Sequence, residues 1–302
     1  MKRKQVCLKV IEIPVDKRAK HPEPPNDILP KHEFTMAIVS PKGAGKTTLI
    51  CNLLNFYKKY FHNIIIFSPT LNNDEKWEWV KKQPLLTEND PLIELIEELK
   101  QENYQFKDNP IVGKVNDDEE GEIPDIKKDK HFTGLIPEDQ FILDYTETQL
   151  HEMLNEQNKV IHFLKQNGKP KHIANRILFL FDDPVGSGLF SDKKHNIFKK
   201  FNSNHRHFSA SMIVASQGYK EIPVLIRTNF SCLIIFEIAS EREQEVIYEE
   251  YSMGLKLKEW IEVYEYCTAG SQYDFMFYNL QKPKPLRIMK NFNEIITVNK
   301  NC

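Results

Sequence analysis

The glycine-rich segment SPKGAGKT contains the residue types that bind phosphate groups. Gly43, Ala44 and Gly45 are small, so the backbone can fold inward and present its N–H groups to phosphate oxygens. Lys46 would bring an ammonium to the β- and γ-phosphates, and the Thr47 hydroxyl would be a ligand of Mg²⁺. The segment therefore predicts a phosphate-binding loop (P-loop) that takes ATP and Mg²⁺.

The first position of this loop departs from the usual pattern, because Ser40 stands where the motif begins with glycine. Serine is small and can end a strand, so we interpret it as a tolerated variant. An apolar strand, FTMAIVS, precedes the loop, and an amphipathic helix beginning KTTLICNLL follows and aims its positive end at the anion. The predicted nucleotide-binding residues are Ser40, Pro41, Lys42, Gly43, Ala44, Gly45, Lys46, Thr47 and Thr48.

Two carboxylates end the apolar segment ILFLFDD. Hydrolysis at a P-loop needs an acidic residue at the end of a buried strand to hold Mg²⁺. Asp182 is predicted to face the metal, and Asp183 could polarise the attacking water as a general base, although glutamate is more usual at that position. Adjacent aspartates can also simply end a strand before Pro184, so this interpretation depends on the P-loop.

Two polar residues farther along the chain could respond to the nucleotide. Gln217 ends the apolar segment SASMIVASQ and could contact the γ-phosphate or the lytic water. Arg227, in IPVLIRTN, could act on the ATP of a neighbouring subunit as an arginine finger, and Arg206, in NHRH, is the competing candidate. The alternatives are a glutamine that merely leaves a strand and arginines that merely lie at the surface.

The elements around these motifs alternate between short apolar strands, such as NIIIFSP and CLIIF, and helical segments. This alternation predicts an α/β fold with a mostly parallel central sheet that helices cover on both faces. We expect an N-terminal arm over residues 1–33, an ATPase domain over 34–290 and a C-terminal tail over 291–302. The polar composition of about 103–146 predicts an exposed, partly disordered insertion.

The bulk properties exclude several classes of protein. The net charge of −2 gives no general attraction to nucleic acid, so such a contact would need a local patch or an assembly. The five scattered cysteines predict buried thiols in a reducing compartment rather than a zinc site. No apolar run approaches the ~18–20 residues of a membrane span, and the basic N-terminus lacks the apolar region of a signal peptide. We expect a soluble protein that is not secreted.

The segments SPKGAGKTT, ILFLFDD and RHFSASMIVASQGYKEIPVLIRTN, in this order and spacing, resemble the genome-packaging ATPases of large eukaryotic DNA viruses and virophages. That family lies in the FtsK–HerA superfamily of DNA-pumping motors. The resemblance spans about residues 34–251 and leaves out the arm and the insertion. It implies a RecA/FtsK-like fold, and it favours Gln217 as a sensor and Arg227 over Arg206 as the finger.

The same resemblance implies the biological setting. It implies a homo-oligomeric ring of five or six subunits that hydrolyses ATP to move double-stranded DNA into a preformed capsid, at its portal or vertex. The expected location is the virion or the viral factory in the host cytoplasm, with no membrane partner.

The candidate DNA contact is the basic segment DKKHNIFKKFNSNHRH. A motor that moves along any sequence should hold phosphates rather than bases. A solvated helix face is the alternative interpretation. The basic residues are Lys193, Lys194, Lys199, Lys200 and Arg206.

Two other functions remain open from the sequence. One is a P-loop helicase or remodelling ATPase that separates nucleic-acid strands. The other is a nucleotide-binding scaffold without turnover, in which Ser40 and Asp183 mark lost catalysis.

Overall fold

The computed structural model describes residues 21–107, 123–126, 128–129, 131–191 and 196–297. The described residues form nine strands that hydrogen-bond into one sheet. The strands are β1 (Thr35–Val39), β2 (Asn63–Phe67), β3 (Phe141–Ile142), β4 (Ile177–Asp182), β5 (Ala210–Ser216), β6 (Cys232–Phe236), β7 (Phe275–Asn279), β8 (Ile288–Lys290) and β9 (Glu294–Ile295).

The strand order across the sheet is β3-β2-β4-β5-β1-β6-β7-β8-β9. Every pair from β3 through to β6 is parallel, and the pairs from β6 to β9 are antiparallel. The prediction of an α/β fold with a mostly parallel central sheet is therefore confirmed.

Helices cover both faces of the sheet, and the alternation of side chains along β1 shows this directly. Met36 and Ile38 join an apolar core with the buried face of α1, whereas Ala37 and Val39 join the core under α4, α5 and α8. Because successive side chains of a strand point to opposite faces, a strand buried on both faces is continuously apolar. The helices are α1 (Lys46–Phe56), α2 (Glu75–Lys81), α3 (Asp90–Lys107), α4 (Glu147–Gln166), α5 (Ile197–Asn204), α6 (Val224–Arg227), α7 (Glu241–Tyr251) and α8 (Leu257–Thr268).

The segment interpreted as an exposed insertion, residues 103–146, is structured at both of its ends. Its first residues belong to α3, and Phe141–Ile142 pair with β2 as the edge strand β3. Ile136 is buried, and Gly134 accepts a 2.8 Å backbone hydrogen bond from Leu86. The interpretation as a loop is therefore wrong for these parts. The edge strand β3 was missed because a strand of two residues shows no periodicity in the sequence. Residues 108–122 lie outside the described residues.

The sheet also continues beyond the predicted end of the domain. Glu294–Ile295 pair with β8, so this part of the predicted C-terminal tail lies in the sheet. Leu29 and His32, in the predicted arm, are buried. The other domain boundaries stay predictions.

Three cysteines, Cys51, Cys232 and Cys267, are buried free thiols, while Cys7 and Cys302 lie outside the described residues. None of the helices in the described ranges has both the length and the apolarity that crossing a membrane requires.

Candidate nucleotide site

The predicted motifs meet at one edge of the sheet. In the parallel register Val39 lies beside Ser216, and Asp182 lies beside Ala215. The chain leaves β1, β4 and β5 at these positions, and the carboxyl ends of parallel strands are where α/β folds bind ligands. The P-loop, the aspartates and Gln217 therefore share this carboxyl edge.

Two glycines of the loop between β1 and α1 have backbone conformations that favour glycine. Gly43 has a φ of +85° and Gly45 a φ of +91°, in the left-handed region that favours glycine. Ser40 has no positive φ, it is buried, and its N–H donates to the Ser216 carbonyl at 3.1 Å. Because Ser40 only extends the strand ladder, a small side chain is accommodated at this position.

Lys46 joins the two aspartates. Its ammonium Nζ lies 3.2 Å from Asp182 Oδ1 and 3.3 Å from Asp183 Oδ1. The Asp182 side chain is 3% exposed, whereas that of Asp183 is 25% exposed. A buried carboxylate suits a fixed metal ligand, and a more open one suits a group that meets water; the two roles stay predictions.

A further residue, which the motifs did not indicate, holds Asp182. Ser68 directly follows β2, and its hydroxyl donates to Asp182 Oδ2 at 2.9 Å. The hydroxyl of Thr70 lies 3.0 Å from that of Ser68. Burial raises the pKa of the Asp182 carboxyl, while the Lys46 ammonium and the Ser68 hydroxyl oppose the rise. Lys46 and Ser68 therefore favour the ionised form that a metal ligand needs.

The residues at this edge fit a magnesium nucleotide. Lys46 Nζ and Asp182 Oδ1 are buried, and beyond the ion pairs of Lys46 with the two aspartates neither atom has a hydrogen-bond partner within the described part of the chain. An ammonium has three donors and a carboxylate oxygen has two lone pairs, so both atoms have capacity left for a ligand. A cleft of about 600 Å³, which Thr47 and Thr70 help to line, opens beside them. Hard carboxylate and hydroxyl oxygens are the donors that Mg²⁺ prefers.

Gln217 contacts the predicted general base. Its amide Nε2 donates to Asp183 Oδ2 at 2.7 Å. The Asp183 backbone has a φ of +52° and donates its N–H to the Ala215 carbonyl at 2.8 Å. A residue other than glycine in this conformation is strained, and such strain concentrates at functional sites. Gln217 thus lies where it can orient Asp183.

The interpretation of Arg227 as an arginine finger disagrees with the structure. Arg227 is 9% exposed, and its Nε donates to Glu250 Oε1 at 2.9 Å. Its guanidinium also lies over the Tyr219 ring, 5.1 Å from the centroid. This guanidinium is therefore paired within its own subunit, and action on a neighbouring subunit would require breaking that pair. A local segment cannot reveal a partner that lies 23 residues farther along the chain.

The basic segment is only partly described. Lys193 and Lys194 lie outside the described residues. On α5, Lys199 is half-buried and Lys200 is exposed. Arg206 is also exposed, in the turn before β5, at the edge of the sheet opposite the P-loop. The structure therefore does not bring Arg206 to the phosphate loop of its own subunit.

Comparison with known families identifies a relationship. The family described as Poxvirus A32 protein matches residues 125–274, just under half of the chain. This match confirms the resemblance to viral genome-packaging ATPases that the motifs predicted. A search of curated proteins finds no matching sequence.

Several solved structures are similar to this chain at low sequence identity. One is the genome packaging NTPase B204 from Sulfolobus turreted icosahedral virus 2, at 12% identity and a TM-score of 0.47, covering 82% of this chain and 92% of that chain. Another is the pCW3 conjugation coupling protein TcpA, at 12% identity and a TM-score of 0.37, covering 82% and 57%. A third is the type VII secretion ATPase EccC of Thermomonospora curvata, at 11% identity and a TM-score of 0.40, covering 89% and 26%.

Proposed function

We propose that this chain is the ATPase of a motor that drives double-stranded viral DNA into a preformed capsid. The observation that carries the proposal is the contact of Lys46 with both Asp182 and Asp183 at the end of the P-loop. The match to the A32 family supports packaging as the use of the energy. The motor is a homo-oligomeric ring of five or six subunits that works at the capsid portal or vertex.

The residues at the carboxyl edge have separate tasks in hydrolysis. Lys46 binds the β- and γ-phosphates, and Thr47 and Asp182 hold Mg²⁺, which neutralises the charge of the phosphates. Asp183 accepts the proton of the attacking water as general base. Gln217 holds Asp183 in position through their 2.7 Å hydrogen bond. Loss of the γ-phosphate would therefore alter the contacts of Asp183, and the hydrogen bond to Gln217 would transmit that alteration to the end of β5.

The contact with DNA is proposed for α5, where Lys199 and Lys200 stand in adjacent positions. A ring repeats this modest basic surface once per subunit, so a chain with a net charge of −2 can still hold a polyanion. Phosphate contacts carry no sequence information, which suits a motor that must move along any genome.

We expect double-stranded DNA to raise the ATPase rate of ring-sized protein. The measurement is the steady-state rate with and without a DNA duplex, on material whose mass is determined by light scattering. A ring-sized species that responds to DNA supports the motor. A monomer that hydrolyses ATP at the same rate with and without DNA contradicts it, and separation of the duplex strands during turnover would favour the helicase.

Replacing Lys199 and Lys200 together with alanine should weaken the response to DNA and leave the basal ATPase rate unchanged. Each lost phosphate contact lowers the slope of log affinity against log salt concentration by about 1, so the double variant should lose about 2. The matched control is Lys81→Ala with Lys82→Ala, which also removes one half-buried and one exposed lysine. Equal loss of basal and stimulated rates would contradict this assignment.

A further inference from the structure

The phosphate loop has a second side that the hydrolytic residues do not occupy. Asp182 ends β4, Asp183 follows it and Gln217 follows β5, and both strands lie on one side of β1 in the sheet. On the other side lie β6 and β7. The turn between α8 and β7, residues 269–274, reaches the carboxyl edge on this second side and brings Tyr273 to the loop.

Tyr273 lies directly against the phosphate loop. A Cβ atom added at Gly45 would come within 2.9 Å of Tyr273 Cδ1 and 3.4 Å of Cε1. A Cβ added at Gly43 would meet nothing within 4 Å. The ring of Tyr273 therefore flanks the loop at Gly45 and leaves the loop open at Gly43.

The ring is also accessible to a ligand, since Tyr273 is 58% exposed. An exposed aromatic ring beside a phosphate-binding loop is positioned to meet the rest of the ligand whose phosphates the loop holds.

The backbone of this turn is held by specific contacts. Gly270 has a φ of +111°, and the N–H groups of Tyr273 and Asp274 both donate to Ser271, at 3.2 and 2.9 Å. The Asp274 carboxylate accepts a 3.1 Å hydrogen bond from the Asn291 amide. Tyr273 thus stands on a fixed turn, which lowers the entropy lost when a ligand orders the ring.

We propose that Tyr273 is the platform on which the base of the bound nucleoside triphosphate stacks, with a preference for purines. The inference rests on the proposed ATPase function. If the γ-phosphate lies toward Asp182 and Asp183, the sugar and base leave the loop at its other side, where Tyr273 stands. Stacking on an aromatic ring accepts any base, and a purine offers the larger surface.

The test compares ligands with and without a base. Tyr273→Ala should raise the Kd for ATP by about tenfold, which is within the range for loss of one base–aromatic stack. The Kd for inorganic tripolyphosphate should stay unchanged, and the preference for ATP over CTP should shrink. Tyr273→Phe, which keeps the ring, should bind ATP like the parent. Isothermal titration calorimetry with Mg²⁺ present gives all of these constants.

A second exposed tyrosine, Tyr266, provides the control. Tyr266 is exposed on α8, and its hydroxyl donates to Glu294 rather than facing the P-loop. Tyr266→Ala should therefore leave both Kd values unchanged. A thermal unfolding curve for each variant shows that the fold is retained.

The possible outcomes separate this inference from the proposed function. If Tyr273→Ala binds ATP like the parent, or weakens ATP and tripolyphosphate equally, Tyr273 is not a base platform, although the ATPase assignment stands. If the unmodified protein binds neither ATP nor tripolyphosphate, the proposed function itself is overturned, and the inference with it.

Discussion

Lys46→Ala should lower the turnover number for ATP hydrolysis by about 10²- to 10³-fold, the range seen when one preorganised charge at a transition state is removed. The ammonium lies within 3.3 Å of both Asp182 and Asp183. It is the group expected to stabilise the negative charge on the β- and γ-phosphate oxygens in the transition state. Without it, the buried Asp182 carboxyl also loses the cation that opposes the rise in its pKa, which disfavours the ionised form that metal binding needs. Asp182→Ala should lower the turnover number by a similar factor, because it removes the proposed metal ligand.

The control for this experiment is Lys58→Ala, which removes an exposed lysine just beyond α1 and should hydrolyse ATP at the parent rate. Single-turnover and steady-state rates with Mg²⁺-ATP, together with a binding titration, separate loss of affinity from loss of chemistry. Full activity of Lys46→Ala in supporting DNA uptake would favour the nucleotide-binding scaffold, since a scaffold has no need of turnover.

The candidate site at the carboxyl edge was predictable because each of its motifs is a short local segment and the sheet is parallel. The P-loop, Asp182 and Gln217 each follow an apolar strand in the sequence, and parallel strands present their carboxyl ends at one edge. Once the alternation of strands and helices is recognised, these residues must meet even though long segments separate them. The antiparallel strands β8 and β9 were not predicted, because strands of three and two residues show no clear period.

Other parts of the site were not visible in the sequence because their significance depends on neighbours. Ser68 follows an apolar strand as many turn residues do, and only its hydrogen bond to Asp182 distinguishes it. Tyr273 lies far along the chain from Gly45. The two residues meet because β6 and β7 lie beside β1 in the sheet and Tyr273 lies in the turn just before β7. A motif can mark a phosphate loop, but it cannot identify the residue that flanks it.

Arg227 shows how the same limit affects an assignment. Its place after an apolar strand and a short loop fits an exposed finger, and the sequence around it contains no acidic partner other than Glu221. The partner is Glu250, at the end of α7, and the Tyr219 hydroxyl donates to the same carboxylate. Tyr251 then donates its hydroxyl to the Arg227 carbonyl. The arginine therefore connects α6 with α7.

Arg227→Ala should accordingly lower the free energy of unfolding by about 3 kcal/mol, because it leaves the largely buried Glu250 carboxylate without its cation. Urea denaturation followed by circular dichroism measures the change. Exchanging both partners for apolar residues, as Arg227→Met with Glu250→Leu, should restore much of the loss, since a buried ion pair gains little over well-packed apolar side chains. Arg206→Ala, which removes an exposed arginine, should change the unfolding free energy by less than about 0.5 kcal/mol.

The same variant decides between the two roles of Arg227. A structural arginine predicts that Arg227→Ala unfolds at lower urea, while the fraction that remains folded and assembled hydrolyses ATP at the parent rate. A finger predicts the reverse, with unchanged stability and with hydrolysis lost only in the assembled ring. The ion pair with Glu250 and the stacking on Tyr219 favour the first outcome, because a guanidinium must break both contacts before it can reach a neighbouring subunit.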